Sequence, residues 1–205
     1  MDDDALQALW TVFDQTGIRP EYLLPVLYFE SGFNPAVPNA AGAPFYGIAQ
    51  TSGAKLASLG VTPAAFLAMS AGDQIRTAVL PYFAGVVQRY GAIKSATRAE
   101  QANFEPATLA YIRSLAQILE PRGTRAYADN ARAFDPASHG AITLADLALA
   151  MSHAAAAPAT KAAIARAYVL RPSAGPACSP VYGEDFVDPA WTLGALALGL
   201  AAALR

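Results

Sequence analysis

Tyr28-Phe29-Glu30-Ser31-Gly32-Phe33-Asn34-Pro35, followed after the loop Asn39-Ala40-Ala41-Gly42-Ala43 by Tyr46-Gly47-Ile48-Ala49-Gln50, decides the reading of this chain. Glu30 closes an apolar run, Leu23, Leu24, Val26 and Leu27, with Pro20 at the first turn where a helix tolerates it. Pro25 is close enough to the start for a short or kinked helix to accept. Asn34-Pro35 then breaks the helix, because a residue before proline is pushed out of the helical region. A Gly-led return follows and carries the amide of Gln50. With Tyr28, Phe29 and Phe33 as neighbours, the carboxylate is expected to be desolvated, which raises its pKa and keeps it protonated near neutral pH.

Outward from this stretch the period is mostly helical. Asp2-Asp3-Asp4 reads as an acidic helix start, with Leu6, Leu9, Trp10 and Phe13 as the apolar stripe and Gly17 as the stop. Thr62-Pro63 and Ser70-Ala71-Gly72-Asp73 read as further starts, and residues 74–90 as a long helix buried along one side. Two more helices are expected over 107–119 and 143–156, the second capped by Thr143. No segment alternates apolar and polar residues over a useful length, so no sheet is expected and the class is mainly α.

Composition narrows the function. The chain has 205 residues, 54% of them hydrophobic and 15% charged, with a net charge of −2. That is enough for one well-buried domain with an appendage, or for two small units sharing a core, and it lacks the basic stripe of a nucleic-acid binder. The single Cys178 excludes an intramolecular disulfide framework and a Cys-built zinc site, and His139 and His153 are too few for most metal chemistry. No metal and no cofactor are expected. The acidic Met1-Asp2-Asp3-Asp4 start lacks the basic and apolar regions of a secretory signal, so another agent is expected to deliver the protein to any site outside the cytoplasm where it is made.

The Glu30-Ser31 pair with Asn34-Pro35, and Gly47-Ile48-Ala49-Gln50 after it, resemble the Glu-Ser-x-x-Asn-Pro and Gly-Leu-x-Gln signatures of lytic transglycosylases and goose-type lysozymes. Further segments extend the resemblance to phage-encoded, lysozyme-like transglycosylases of tail or baseplate proteins. They are Leu59-Gly60-Val61-Thr62, Met69-Ser70, Asp73-Gln74, Val79-Leu80-Pro81-Tyr82-Phe83, Asn103-Phe104-Glu105-Pro106-Ala107, Tyr127-Ala128-Asp129-Asn130 and residues 134–143, so that about residues 20 to 150 are covered. One departure is Ala110-Tyr111-Ile112, where many bacterial members carry Ala-Tyr-Asn; Asn103 is the candidate to line the cleft instead.

The resemblance implies a lysozyme-like catalytic domain over 1–150 and an alanine-rich and apolar helical extension over 151–205. It also implies cleavage of the glycosidic bond between N-acetylmuramic acid and N-acetylglucosamine in peptidoglycan, by a protein associated with a virion and other tail or baseplate proteins. Glu30 would be the catalytic acid, and Ser31, Tyr46, Gln50, Asn103 and Tyr111 the substrate-binding residues. The chemistry fits on its own terms. Glycosidic cleavage needs an acid on the leaving oxygen and a group to stabilise the oxocarbenium-like centre, which an N-acetylated sugar can supply itself. One carboxylate then suffices and the product is a 1,6-anhydro sugar, although folding could bring Asp73, Glu100 or Glu105 to the cleft. Gly47 would let the backbone approach the sugar. The rival reading is a non-catalytic virion protein that keeps the fold as a wall-binding or assembly module.

Two segments are left. Asp135 to Asp146 has the spacing of a calcium loop, but Ala137 and His139 occupy ligand positions and are not oxygen donors, so a turn without the ion is expected. Residues 171–176 read as a linker. From Pro189 to Leu204 the chain is uncharged and apolar, shorter than the ~20 residues of a bilayer span, and is expected to dock on its own domain or on a partner, including a second copy, with shallow membrane contact as the alternative.

Overall fold

A computed structural model describes residues 1–171 except 40, 41, 113 and 137. Cys178, the segment 189–204 and position 137 of the loop after Asp135 lie outside the described residues, as does the expected linker beyond Arg171.

The first helix, α1 (Asp3–Thr16), begins where the Asp2 carboxylate accepts the Ala5 N–H at 2.9 Å and ends at Gly17, whose φ of 73° few other residues adopt. Its buried face carries Leu6, Leu9, Trp10 and Val12. α2 (Pro20–Ser31) starts on Pro20 and accepts Pro25 within it. Gly32, in the left-handed conformation, ends it before the expected stop at Asn34-Pro35 is reached. α2 is packed against α1, against α7 (Ala96–Phe104), and against α9 (Leu144–Ala156) and α10 (Pro158–Val169). Leu23, Leu24, Val26 and Leu27 are buried there with residues of all four.

Thr62 and Ser70 cap α4 (Pro63–Leu67) and α5 (Ala71–Gln74), as their positions before Pro63 and Asp73 predict. The expected long helix over 74–90 is continuous in direction but not in winding: α5 passes through a π turn (Ile75–Val79) into α6 (Leu80–Tyr90). Pro81 explains it, since its ring would crowd the carbonyl of Thr77 four residues back, and the wider turn relieves the crowding.

Contrary to the expectation of no sheet, two short antiparallel ribbons are present: β1 (Phe45–Tyr46) with β2 (Thr51–Ser52), and β3 (Ile118–Pro121) with β4 (Ala141–Thr143). The first ribbon leads through β2 into α3 (Gly53–Ser58), capped by Ser52. The helix expected over 107–119 is absent. A single 3₁₀ turn (Pro106–Ala110) takes its first part, and Ile118 and Leu119 go into β3. Arg98 supplies part of the reason: its guanidinium donates to the carbonyls of Leu109 (3.1 Å) and Ile112 (2.8 Å), acceptors a helix would have used.

α8 (Arg125–Phe134) is a helix that the periodicity did not reveal, as is α7. α8, β3 and β4 enclose a second cluster of Leu119, Tyr127, Phe134 and Ile142, and Phe29 of α2 packs against both clusters. The boundary expected at residue 150 falls inside α9, and α10 packs on α1 and α2, so the main core continues past it to Ala167. Thr143 caps α9 as expected, in a reciprocal box with Asp146. No described helix is long and apolar enough to cross a membrane.

Candidate active site

Glu30 sits in the last turn of α2, where that helix meets α7. The Asn103 amide, near the end of α7, donates to Glu30 Oε1 at 2.6 Å. Glu100 lies three residues earlier, one turn back on the same face, and is 1% exposed. Its Oε2 is buried and has no hydrogen-bond partner. Two carboxyl groups are thus gathered behind one amide.

Asn103 also lines a cavity of about 190 Å³, with Phe45, Gln50, Lys55, Tyr82 and Phe83 among the other lining residues. Its walls come from the first ribbon and α3 on one side and from the π turn and α6 on the other. Phe45 is 40% exposed beside it and Lys55 is half-buried. Tyr82 is held by a hydrogen bond from its hydroxyl to the Ala102 carbonyl on α7, at 2.5 Å.

The return loop below the cavity is fixed by Gln74, which is fully buried. Its Oε1 accepts the Ile48 N–H at 2.8 Å, and its Nε2 donates to the carbonyls of Pro35 and Phe66, each at 2.7 Å. Gly47 is required by this amide and not by a sugar: with φ at 74°, a Cβ there would lie 2.3 Å from Gln74 Oε1. Two non-glycine residues at the site are left-handed, Phe33 (φ 67°) just after α2 and Gln50 (φ 47°) on the cavity wall. Such backbone costs free energy and persists where packing over-determines it, as the Gln50 amide bonds to Val37 (3.3 Å) and Gly47 (3.1 Å) do here.

Burial dominates the titration of the pair. Desolvation pushes Glu30 up to about 7, against the opposing hydrogen bond from Asn103. As a residue Glu30 is partly exposed, but its carboxyl group is enclosed, and the enclosure of the group governs its ionisation. Glu100 is held well above the usual carboxylate range, first by burial and then by the charge of Glu30. Near neutrality Glu30 can therefore gain and lose a proton, and burial favours the neutral form of Glu100. Tyr82 is pushed up to about 12, by burial first and then by the carboxylates of Glu105 and Glu100 and by Tyr90.

The expected site residues separate. Asn103 and Gln50 line the cavity, and Glu30, which is not among its lining residues, is joined to it through the Asn103 amide. Ser31 is a structural tie, its hydroxyl donating to the carbonyls of Leu27 (3.0 Å) and Ile48 (2.8 Å), which fastens the return loop to α2. Tyr46 is half-buried against a small cluster of Leu56, Phe66 and Ala78, while its neighbour Phe45 takes the cavity wall. Tyr111 is 63% exposed after the 3₁₀ turn and is not among the residues lining the cavity.

Of the acids considered as a second carboxylate, Asp73 is engaged by Ser70 and Arg76 on the surface. Glu105 is only partly enclosed; burial, then the charge of Glu120, raises its pKa. Glu100 is the one near enough for the charge of Glu30 to act on it. Sequence reasoning quoted Gln74 within the resembling Asp73-Gln74 segment and gave it no role, although a glutamine one turn after a Ser70 cap and inside an apolar face was a signal.

In the loop after α8, Asp135 is committed to the chain itself. It accepts from Tyr127 Oη (2.8 Å), His139 N (2.7 Å) and Gly140 N (2.8 Å). Burial would raise its pKa, but the backbone N–H groups and the Tyr127 hydroxyl outweigh that and hold it below the usual range. Among the described residues no group of three or more acids, histidines or cysteines is placed to hold a metal ion.

Comparisons with protein-family models, with curated proteins and with solved structures found no match to this chain.

Proposed function

We propose that the protein cleaves glycosidic bonds of peptidoglycan as a lytic transglycosylase of lysozyme-like architecture, with Glu30 as the general acid. The observation that carries this reading is Glu30 itself, a carboxylic acid brought to about 7 by enclosure and hydrogen-bonded by Asn103, a residue on the wall of a cavity. A general acid works best when its pKa lies near the operating pH. Protonated Glu30 gives its proton to the bridging oxygen, the C–O bond breaks with its electron pair going to that oxygen, and the substrate's N-acetyl group covers the positive centre. The ionised Glu30 then takes the proton of the sugar's own 6-hydroxyl as that oxygen closes on C1, giving the 1,6-anhydro product. The cavity is smaller than the ~300–1,000 Å³ of a typical ligand pocket, and its aromatic rim at Phe45 with the amides of Gln50 and Asn103 suits one acetamido sugar within a longer strand.

Digestion of purified peptidoglycan with mass analysis of the fragments tests this. The wild-type chain should release 1,6-anhydromuramic ends, and Glu30→Gln should lower the rate by ~10²–10⁴ while keeping the fold. An unimpaired Gln variant would remove Glu30 from its role. Reducing ends alone would mean that water, with a second carboxylate, attacks instead.

A further inference from the structure

Glu100 is unexplained by packing. A carboxyl at 1% exposure with an unpartnered Oε2 is costly to bury, and an apolar side chain would fill the space at less cost. It lies on the face of α7 that presents Asn103 to Glu30, one turn away. The titratable groups of the packed elements that act with it are Glu30 from α2 and Tyr82 from α6. Asp146 of α9 is spent in the helix cap, and Arg98 on α7 donates to Gln101, Leu109 and Ile112. Burial of Glu100 favours its neutral form.

We propose that Glu100 is a positioning residue that keeps its proton throughout turnover and lends its O–H to the Glu30 carboxylate formed when Glu30 protonates the leaving oxygen. It rests on the reading of Glu30 as the general acid. The proton delivered to the substrate comes from Glu30 alone, and Glu100 forms a hydrogen bond without transferring its own proton. A neutral acid in an enclosed site can donate in this way because its environment forbids it to ionise. Asn103 supplies one donor to Oε1, and Glu100 supplies a second when the charge appears. The removal of that second donor should make Glu30 harder to ionise.

The test is a carboxyl ¹³C NMR titration of Glu30 and Glu100 in the full chain, alongside kcat–pH profiles on purified glycan strands. In the wild type the Glu100 resonance should remain that of a protonated acid through the pH range in which Glu30 titrates. Glu100→Met should raise the Glu30 pKa by about one unit and lower kcat about tenfold, with KM unchanged. Glu100→Gln, which restores an N–H donor of the same shape, should recover most of both.

A Glu30 titration unmoved in Glu100→Met would overturn the proposal. So would an inactive but folded Glu100→Gln, since Glu100 would then be acting as a carboxylate. If the Met variant does not fold, an ionised Glu100 in the wild type at pH 7 is sufficient to reject it. The titration needs no substrate, whereas failure of the cleavage reading itself would show as an unimpaired Glu30→Gln.

Discussion

At the scale of single residues, the site depends on how one amide and one enclosure divide the control of Glu30. Enclosure raises its pKa and the Asn103 bond opposes the rise, so Asn103→Ala should move the alkaline limb of the kcat/KM profile above about 7 while lowering the plateau. A pH–rate series on glycan strands reads both effects, and a limb that moves down would show that Asn103 does not stabilise the charged form. Glu30, Gln50 and Asn103 were legible in the sequence because each belongs to a short local pattern. Glu100 was not, since α7 reads Ala-Thr-Arg-Ala-Glu-Gln-Ala-Asn-Phe, like a helix open to solvent. Its buried polar face (Thr97, Glu100 and Gln101) is disclosed only by the helices that cover it. Phe45 was passed over for Tyr46 because alternation along a two-residue strand cannot be assigned to a face before its partner is known.

At the scale of elements, the return loop is set by Gln74 reaching across from the end of α5 into the turn around Gly47. Gly47→Ala meets two penalties together, a left-handed φ of 74° and a Cβ inside contact distance of the Gln74 amide. Moving that amide would leave buried groups unpaired, so the substitution should destabilise the fold by roughly 2–4 kcal/mol, measured by urea unfolding. A loss under ~0.5 kcal/mol would mean that the loop yields without Gln74. Helix starts were the most legible elements because caps are local chemistry: Asp2, Thr62, Ser70 and Thr143 each bond an N–H of their own first turn. The missing helix over 107–119 had the right period and lost to tertiary partners, Arg98 taking its carbonyls and β4 taking Ile118 and Leu119. The ribbons are too short to leave a period-two signal.

At the scale of the whole molecule, the raised carboxyls tie stability to pH in a stated direction. Below about 4.5 the unfolded chain also keeps its glutamates protonated, so the folded state gains in full from holding Glu30 neutral. As pH rises the unfolded chain ionises first and binds fewer protons than the folded one, so this contribution to stability falls until Glu30 itself titrates near 7. Glu100, also raised by burial, acts with the same sign. Melting temperatures between pH 5 and pH 7 should show that decline, and it should be shallower in Glu30→Gln; a profile unchanged by the substitution would contradict the raised pKa.

The last prediction concerns how far the folded unit extends, because α10 closes the molecule onto its own beginning. The Trp10 indole N–H donates to the Ala167 carbonyl at 2.8 Å, and Arg171 lies 5.0 Å from the Trp10 ring. Arg166 pairs with Asp3, and the Tyr168 hydroxyl joins Arg19 (2.9 Å) to the buried Glu21 (2.7 Å). Ala163 and Ala167 enter the main core beside α1 and α2. A chain ending at Ala157 would strand the Trp10 N–H, leave Glu21 without its Tyr168 donor and open the core at α2, the helix that carries Glu30. Each stranded buried group costs ~1–3 kcal/mol, against a total stability of ~5–15 kcal/mol for a typical domain. That chain should lose its cooperative unfolding transition or drop sharply in melting temperature, and lose wall cleavage with it. A chain ending at Arg171 keeps every one of these contacts and should retain the cooperative transition that the shorter chain loses. If the two truncations behave alike, α10 is an appendage and the folded core ends with α9.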